Sequence, residues 1–326
     1  MYAKSSFRIL TTILLTAVNA TEFAFIADTP DNDNFNQVAD MVKAKGVNYI
    51  VHGGDISYVP GTEYEELVYD NTVGRYFHDL LYNYHGVYGD GSDTRRFFAT
   101  IGNHECIETA SGLDPTYYRA RNFFSQDEGA EMPGGFTVPS KGVYYTFEIN
   151  DIQWFVLNKY ESFEEGSTQR EWFTEAVDAS TAKWKLVSLH ESIMGAGQYW
   201  TEHYENGDGM NAFQEFPFKQ HGIDAILMAH DHGVSLVKYP EDEPETVFGK
   251  FVGNGGMYYI TAAAGGESRH VRGDEDLDPP GLLSAYYADD GEAGIGAVFG
   301  TITDDYLSIS YYSIENEYVS LFDIYL

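Results

Sequence analysis

The chain has 326 residues, 43% of them apolar and 16% aromatic, enough to bury a large core and too hydrophobic for a disordered segment. Its 51 acidic residues against 19 basic ones give a net charge of -32, and a field that negative opposes nucleic acid and anionic membranes as partners. The single cysteine, Cys106, rules out an intramolecular disulfide and reads as a small buried residue rather than a nucleophile.

Lys4 and Arg8 precede an apolar run over residues 9–18 and the small-residue pattern Val18-Asn19-Ala20, which predicts a secretory signal cleaved after Ala20. A run of this length is about half of what a bilayer crossing needs, so a signal is expected here rather than a membrane anchor. The mature part, residues 21–326, is expected to be extracellular and to form one domain with a net charge of -34. Such a charge suits a saline or calcium-rich surrounding, where ions screen self-repulsion.

Residues 23–27 read as a buried strand, followed by a helix to about residue 45 capped by Asp33 or Asn34, with Val38, Met41 and Val42 facing inward. Asp31 and Asp33 are assigned to this cap rather than to a calcium loop. With the next strand at 48–51 this is a β-α-β start, which implies a parallel pair. Leu67, Phe77, Leu80, Leu81 and Tyr84 suggest a helical insertion over 63–84, broken near Gly74, ahead of a strand at 97–101. Residues 143–149 and 152–157 predict a hairpin turning at Asn150-Asp151. A helix at 169–177 and strands at 184–189 and 225–228 come next, and Met210 reads as core. The tyrosine-rich tail, also assigned to the core, alternates strands at 258–263, 297–302, 306–312 and 319–325 with Gly-rich and acidic turns. The order is β-α-β first and mostly β later.

Five short clusters rich in metal-ligand residues punctuate this order. They are Asp28 after Phe25-Ile26-Ala27, then Gly54-Asp55-Ile56-Ser57-Tyr58, Gly102-Asn103-His104-Glu105, Val187-Ser188-Leu189-His190 and His230-Asp231-His232. Each follows an apolar run, so all five are expected at strand ends of an α/β sheet, where sites form. The donors are oxygens and imidazole nitrogens without thiolates, a set that suits iron, zinc or manganese. His230 and His232 are two apart, so on an extended segment both rings face the same side and could each take one of two neighbouring ions. Asp55 is central enough in the order to bridge them. Tyr58 discriminates most, because a phenolate is a poor ligand for zinc and a good one for ferric iron. Glu105 is assigned to supporting the ligands, His52 to packing on the far face of its strand, and His221, His270, Arg269 and Arg272 to the surface.

These blocks resemble the signature blocks of purple acid phosphatases within the calcineurin-like metallophosphoesterases. The resemblance extends to Tyr118-Arg119-Ala120-Arg121-Asn122-Phe123, Met132-Pro133-Gly134, Asn158, Trp172-Phe173, Trp184, Tyr259-Ile260-Thr261 and Gly265-Gly266. It implies a four-layer α/β/β/α sandwich, two mixed sheets flanked by helices. It further implies a dinuclear centre of Fe(III) and a divalent ion (Zn, Fe or Mn). The ferric ion would be held by Asp28, bridging Asp55, Tyr58 and His232, and the divalent ion by Asp55, Asn103, His190 and His230. His104 and His203 would contact a small phosphate-ester substrate or protonate its leaving group. The activity implied is secreted acid-phosphatase-type hydrolysis of phosphomonoesters by a metal-bound hydroxide. Phosphodiester or nucleotide-anhydride hydrolysis at the same centre, and a non-hydrolytic metal-binding or redox protein, are the alternatives. Two departures stand out: the family's Asp-x-Gly is Asp28-Thr29-Pro30 here, and the Gly that opens its last block is Ala229.

Overall fold

The apolar runs of the central strands, such as Tyr49–His52 and Ala225–Met228, lack a polar alternate face because both of their sides are covered, whereas Leu307–Ser313 nearer an edge alternates buried and half-buried residues. The computed structural model describes residues 20–56, 58, 67–106, 108–109, 112–113, 116–139, 144–195, 210–242, 252–267, 284–288, 294–303, 305–315 and 319–326. In chain order the strands of its two large sheets begin with β1 (Thr21–Ile26), β2 (Tyr49–His52), β3 (Phe97–Ala99), β4 (Tyr145–Ile149), β5 (Ile152–Val156), β6 (Trp184–Leu189) and β7 (Ala225–Met228). They continue with β8 (Val234–Lys238), β9 (Tyr258–Ala262), β10 (Ser284–Ala288), β11 (Gly296–Ile302), β12 (Leu307–Ser313) and β13 (Val319–Tyr325). The main helices are α1 (Asp33–Lys45), α2 (Thr116–Phe123) and α3 (Thr168–Ala179).

The first sheet has the order β13-β12-β11-β1-β2-β3, parallel across β1, β2 and β3 and antiparallel from β1 outward to β13. The second runs β4-β5-β6-β7-β9-β8-β10, with β5, β6, β7 and β9 parallel. Alternation along β1 explains the layering. Phe23 and Phe25 enter the core between the sheets with Tyr49, Phe98, Phe147, Trp154 and Leu227, whereas Ala24 and Ile26 face Phe35, Val38 and Val42 of α1. On the second sheet Trp154 points inward, where its Nε1 donates to the Tyr49 hydroxyl at 3.1 Å, and Phe155 points out onto Phe173 of α3. The fold is the expected mixed α/β sandwich.

Several local expectations change. Asn32, not Asp33 or Asn34, caps α1, its side chain accepting from Phe35 N at 2.9 Å. The insertion is helical straight through Gly74, as one π-helical stretch (Asp70–Gly74) passing into an α turn (Arg75–Phe77), and its outward Leu67 is 45% exposed. Strands β8 and β10 were not foreseen. In the tail Tyr311 is buried, as expected, but Tyr306 and Tyr325 are exposed. The Asn150-Asp151 turn is as expected, both residues having positive φ, the geometry of a two-residue hairpin that follows the strand twist. Residues 1–19, the signal expected there, and the acidic stretch 274–278 lie outside the described residues.

Candidate metal centre

The carboxyl ends of the parallel strands of both sheets meet on one rim, and each expected donor stands just beyond such an end. Asp28 follows β1, Asp55 follows β2, Asn103 follows β3, His190 follows β6 and His230 follows β7. Three of these turn with a left-handed backbone: Asp28 (φ 54), Asp55 (φ 55) and His230 (φ 65). Non-glycine residues hold that conformation at a cost of about 1–3 kcal/mol each, and they persist where surrounding structure over-determines them, as at functional sites. The positive φ of His230 also shows that His230-Asp231-His232 is a turn and not the extended segment expected.

The donor atoms fall into two groups, Asp28 with Asp55 and His232, and Asp55 with His190 and His230, the atoms in each lying within 4.8 Å of one another. Asp55 is common to both. In the first group His232 Nε2 lies 3.1 Å from Asp28 Oδ1, and the Tyr58 hydroxyl lies 3.2 Å from each of them. In the second, Asn103 Oδ1 is 3.0 Å from His190 Nε2 and 2.9 Å from His230 Nδ1, and His190 Nε2 is 3.3 Å from Asp55 Oδ2. Ligands about 2.1 Å from one ion and at right angles to each other would be about 3 Å apart. The observed spacings match that edge, so the residues fit a pair of ions with oxygen and nitrogen ligands.

Supporting bonds fix the donors. His190 Nδ1 lies 2.8 Å from the carbonyl of Gly53; donating there leaves Nε2 with its lone pair toward Asn103 and Asp55. The Glu105 carboxylate accepts from Gly102 N (2.9 Å), Asp55 N (2.9 Å) and Ile56 N (2.8 Å), tying the Asn103 turn to the Asp55 turn. Glu105 thus supports the ligands, as its place in the sequence suggests. Residue 102 must be glycine, because a Cβ there would sit 2.2 Å from Asp55 Oδ1. Ala229 is accommodated through Gly53, since a Cβ on residue 53 would lie only 3.2 Å from the Ala229 methyl.

Electrostatics reflect the crowding of buried groups. Burial opposes ionisation of Asp55, but His190 and His104 outweigh it and hold the carboxyl below its usual range. Burial likewise disfavours charge on His190, yet Asp55 foremost, then Asp28 and Glu191, raise its pKa. The Tyr58 phenol moves far above its ordinary value through burial, then Asp28, Asp55 and Glu267. His104 backs onto the same cluster: its backbone N–H donates to Asp55 Oδ1 at 2.8 Å and its ring lies against Tyr58, tilted by 38° with centroids 4.3 Å apart. His203, like His270, Arg269 and Arg272, lies outside the described residues. Cys106 is buried, as expected, and Met210 is in the core. His221 pairs with Asp178 at 2.6 Å, away from the donors. His52 packs, as expected, on the face of its strand turned away from the core between the sheets, stacked on Phe97. What sequence reasoning missed is its contacts: it is wholly buried between Thr29 and Gly54, and burial lowers its pKa to about 3.

Two donor groups sharing one carboxylate, set at the strand ends of a two-sheet sandwich, are the features of a binuclear metallohydrolase. A family model for the calcineurin-like phosphoesterases matches residues 21–234, and the chain belongs to that family. Members use a dinuclear metal centre and act as phosphoesterases. Purple acid phosphatase 21 of Arabidopsis thaliana is 23% identical over 248 residues, 75% of this chain and 50% of that protein. The chain therefore spans about half the length of that relative. A purple acid phosphatase from yellow lupin seeds shares the fold, with a TM-score of 0.64 at 12% identity over 94% of this chain and 53% of that one. So does GAP50, described as the anchor in the inner membrane complex of Plasmodium, with a TM-score of 0.57 at 15% identity over 94% and 88%.

Proposed function

We propose that this chain is an exported phosphatase that hydrolyses phosphomonoesters with one ferric and one divalent ion. Asp28, Asp55, Tyr58 and His232 would hold the ferric ion, and Asp55, Asn103, His190 and His230 the divalent one, zinc, iron or manganese. Tyr58 supports the ferric assignment. Its hydroxyl lies 3.2 Å from both Asp28 Oδ1 and His232 Nε2, in reach of an ion those two would share, and a phenolate is a good ligand for ferric iron. Tyr58→Phe is accordingly expected to remove the visible tyrosinate-to-iron absorption band of the iron-loaded protein, and a band that survives the substitution would refute the assignment. The apolar run over residues 9–18 supports export.

When bound, the ions supply Lewis-acid charge for the phosphate oxygens and activate water. The rest falls to the protein. Asp28 and Asp55 set the spacing of the two donor groups, and Asn103, a neutral oxygen donor, adds no further negative charge against an incoming phosphate. The observation that carries the phosphatase reading is His104. Its side chain is 31% exposed, packs at a tilt against Tyr58 and places Nε2 3.8 Å from Asp55 Oδ2, so it overlooks the donors and remains open to solvent. A proton held there can pass to the leaving alkoxide as the ester bond breaks. Metal storage alone gives that histidine no task.

The test is a phosphate-release panel on protein of measured metal content, using p-nitrophenyl phosphate, bis(p-nitrophenyl) phosphate and nucleotides at several pH values. Faster turnover of the monoester is expected. Faster turnover of the diester would make the protein a phosphodiesterase, and no release from any ester would leave a metal-binding protein.

A further inference from the structure

Asp28 and Asp55 stand on adjacent left-handed turns, and both turns are stitched by the backbone: Asp28 N donates to the Gly54 carbonyl at 3.1 Å and Thr29 N to the Asp55 carbonyl at 3.0 Å. A side-chain link runs parallel to these bonds. Gly54 N donates to His52 Nδ1 at 3.1 Å, which makes Nε2 the protonated nitrogen, and Nε2 lies 2.9 Å from Thr29 Oγ1. Both side chains are 0% exposed. His52 is held in turn by Phe97, whose ring stacks on it at 6.0 Å, and by Thr100 N, which donates to the His52 carbonyl at 2.7 Å. One residue therefore touches the turns carrying both aspartates and the strand leading to Asn103.

We propose that Thr29 and His52 form a positioning clamp that sets Asp28 against Asp55 at the spacing a shared pair of ions requires. Neither residue is a donor, and the imidazole is neutral, so the clamp adds no charge that would compete with an ion. It also accounts for the departure at Asp28-Thr29-Pro30. Without the glycine of the Asp-x-Gly pattern the chain leaves Asp28 through a proline of fixed φ, and the Thr29 hydroxyl anchors the turn from inside. The inference rests on the metal-centre reading.

Zn(II) affinity measured by chelator competition on metal-stripped protein tests it without any substrate. Thr29→Val keeps the shape and removes the hydroxyl. It is expected to weaken binding by about 10- to 100-fold, the usual effect of losing an outer partner of a ligand. Thr29→Ala, which cannot clash, is expected to do the same, and Thr29→Ser to bind like the parent. Parent-like affinity in the valine and alanine variants overturns the clamp and leaves the metal centre standing. A parent that binds no Zn(II) overturns the metal centre, and the clamp with it.

Discussion

Asp55→Asn is expected to lose both ions and to cut phosphate release by at least about 10³-fold, more than any other single donor substitution. Among the described residues Asp55 alone belongs to both donor groups, so removing its charge damages both sites, whereas a change at His190 or His232 touches one. The backbone should survive. Asparagine tolerates a left-handed φ as aspartate does, and its remaining oxygen can still accept from His104 N, as Asp55 Oδ1 does at 2.8 Å. What it cannot do is present two anionic oxygens, because one position becomes an NH₂ directed at cations or at the His190 ring 3.3 Å away. Metal content, far-UV circular dichroism and phosphate release on the same preparation separate these effects. A folded variant that retains both ions and most of the activity would remove Asp55 from the bridging position.

The donors are legible in the sequence because each is a metal-ligating residue just beyond an apolar run, and an unpaired ionisable side chain is costly inside a strand buried on both faces, where only small or hydrogen-bonded polar residues such as Ser188 remain. The role of His52 is less legible. His52 is the last residue of β2 and follows Tyr49-Ile50-Val51, and in the sequence a histidine there is indistinguishable from a merely packed one until the turn after β1 brings the Thr29 hydroxyl beside it. The nearest signal is Gly53-Gly54, which leaves the backbone room to fold back so that Gly54 N reaches the ring. The two histidines after β7 teach the converse. Opposite assignments for His230 and His232 can be guessed from their spacing, but the geometry that produces them, a left-handed turn at His230, is set by Asp28 Oδ2, which accepts from His230 N at 3.2 Å. That contact spans 202 residues. Strand β8 was hidden for a related reason. It starts at Val234, only two residues after His232, and a functional turn that short leaves no loop composition to mark it.

Glu105→Ala should have the largest effect on stability. The carboxylate is 1% exposed and accepts three backbone N–H groups, from Gly102, Asp55 and Ile56. Truncation strands all three donors in the interior, at about 1–3 kcal/mol each before relaxation, so a loss of roughly 3–5 kcal/mol is expected. That is a large share of the 5–15 kcal/mol typical of a folded protein. Burial and the neighbouring Asp55 push the Glu105 pKa upward, and the N–H donors from Gly102 and Ile56 oppose them. Glutamine tests the balance. It keeps the shape and one acceptor oxygen but turns an NH₂ toward backbone donors, so Glu105→Gln should fall between the parent and the alanine variant. Urea unfolding should be measured first in chelator, because bound metal would add its own stabilisation through mass action and mask the difference. Repeating it with metal present then reads the second consequence: with Gly102 and Asp55 no longer tied together, Asn103 and Asp55 lose their common reference, and the stabilisation by metal should shrink as well. An alanine variant within about 0.5 kcal/mol of the parent in chelator would mean that water replaces the carboxylate and that the two turns hold their positions without it.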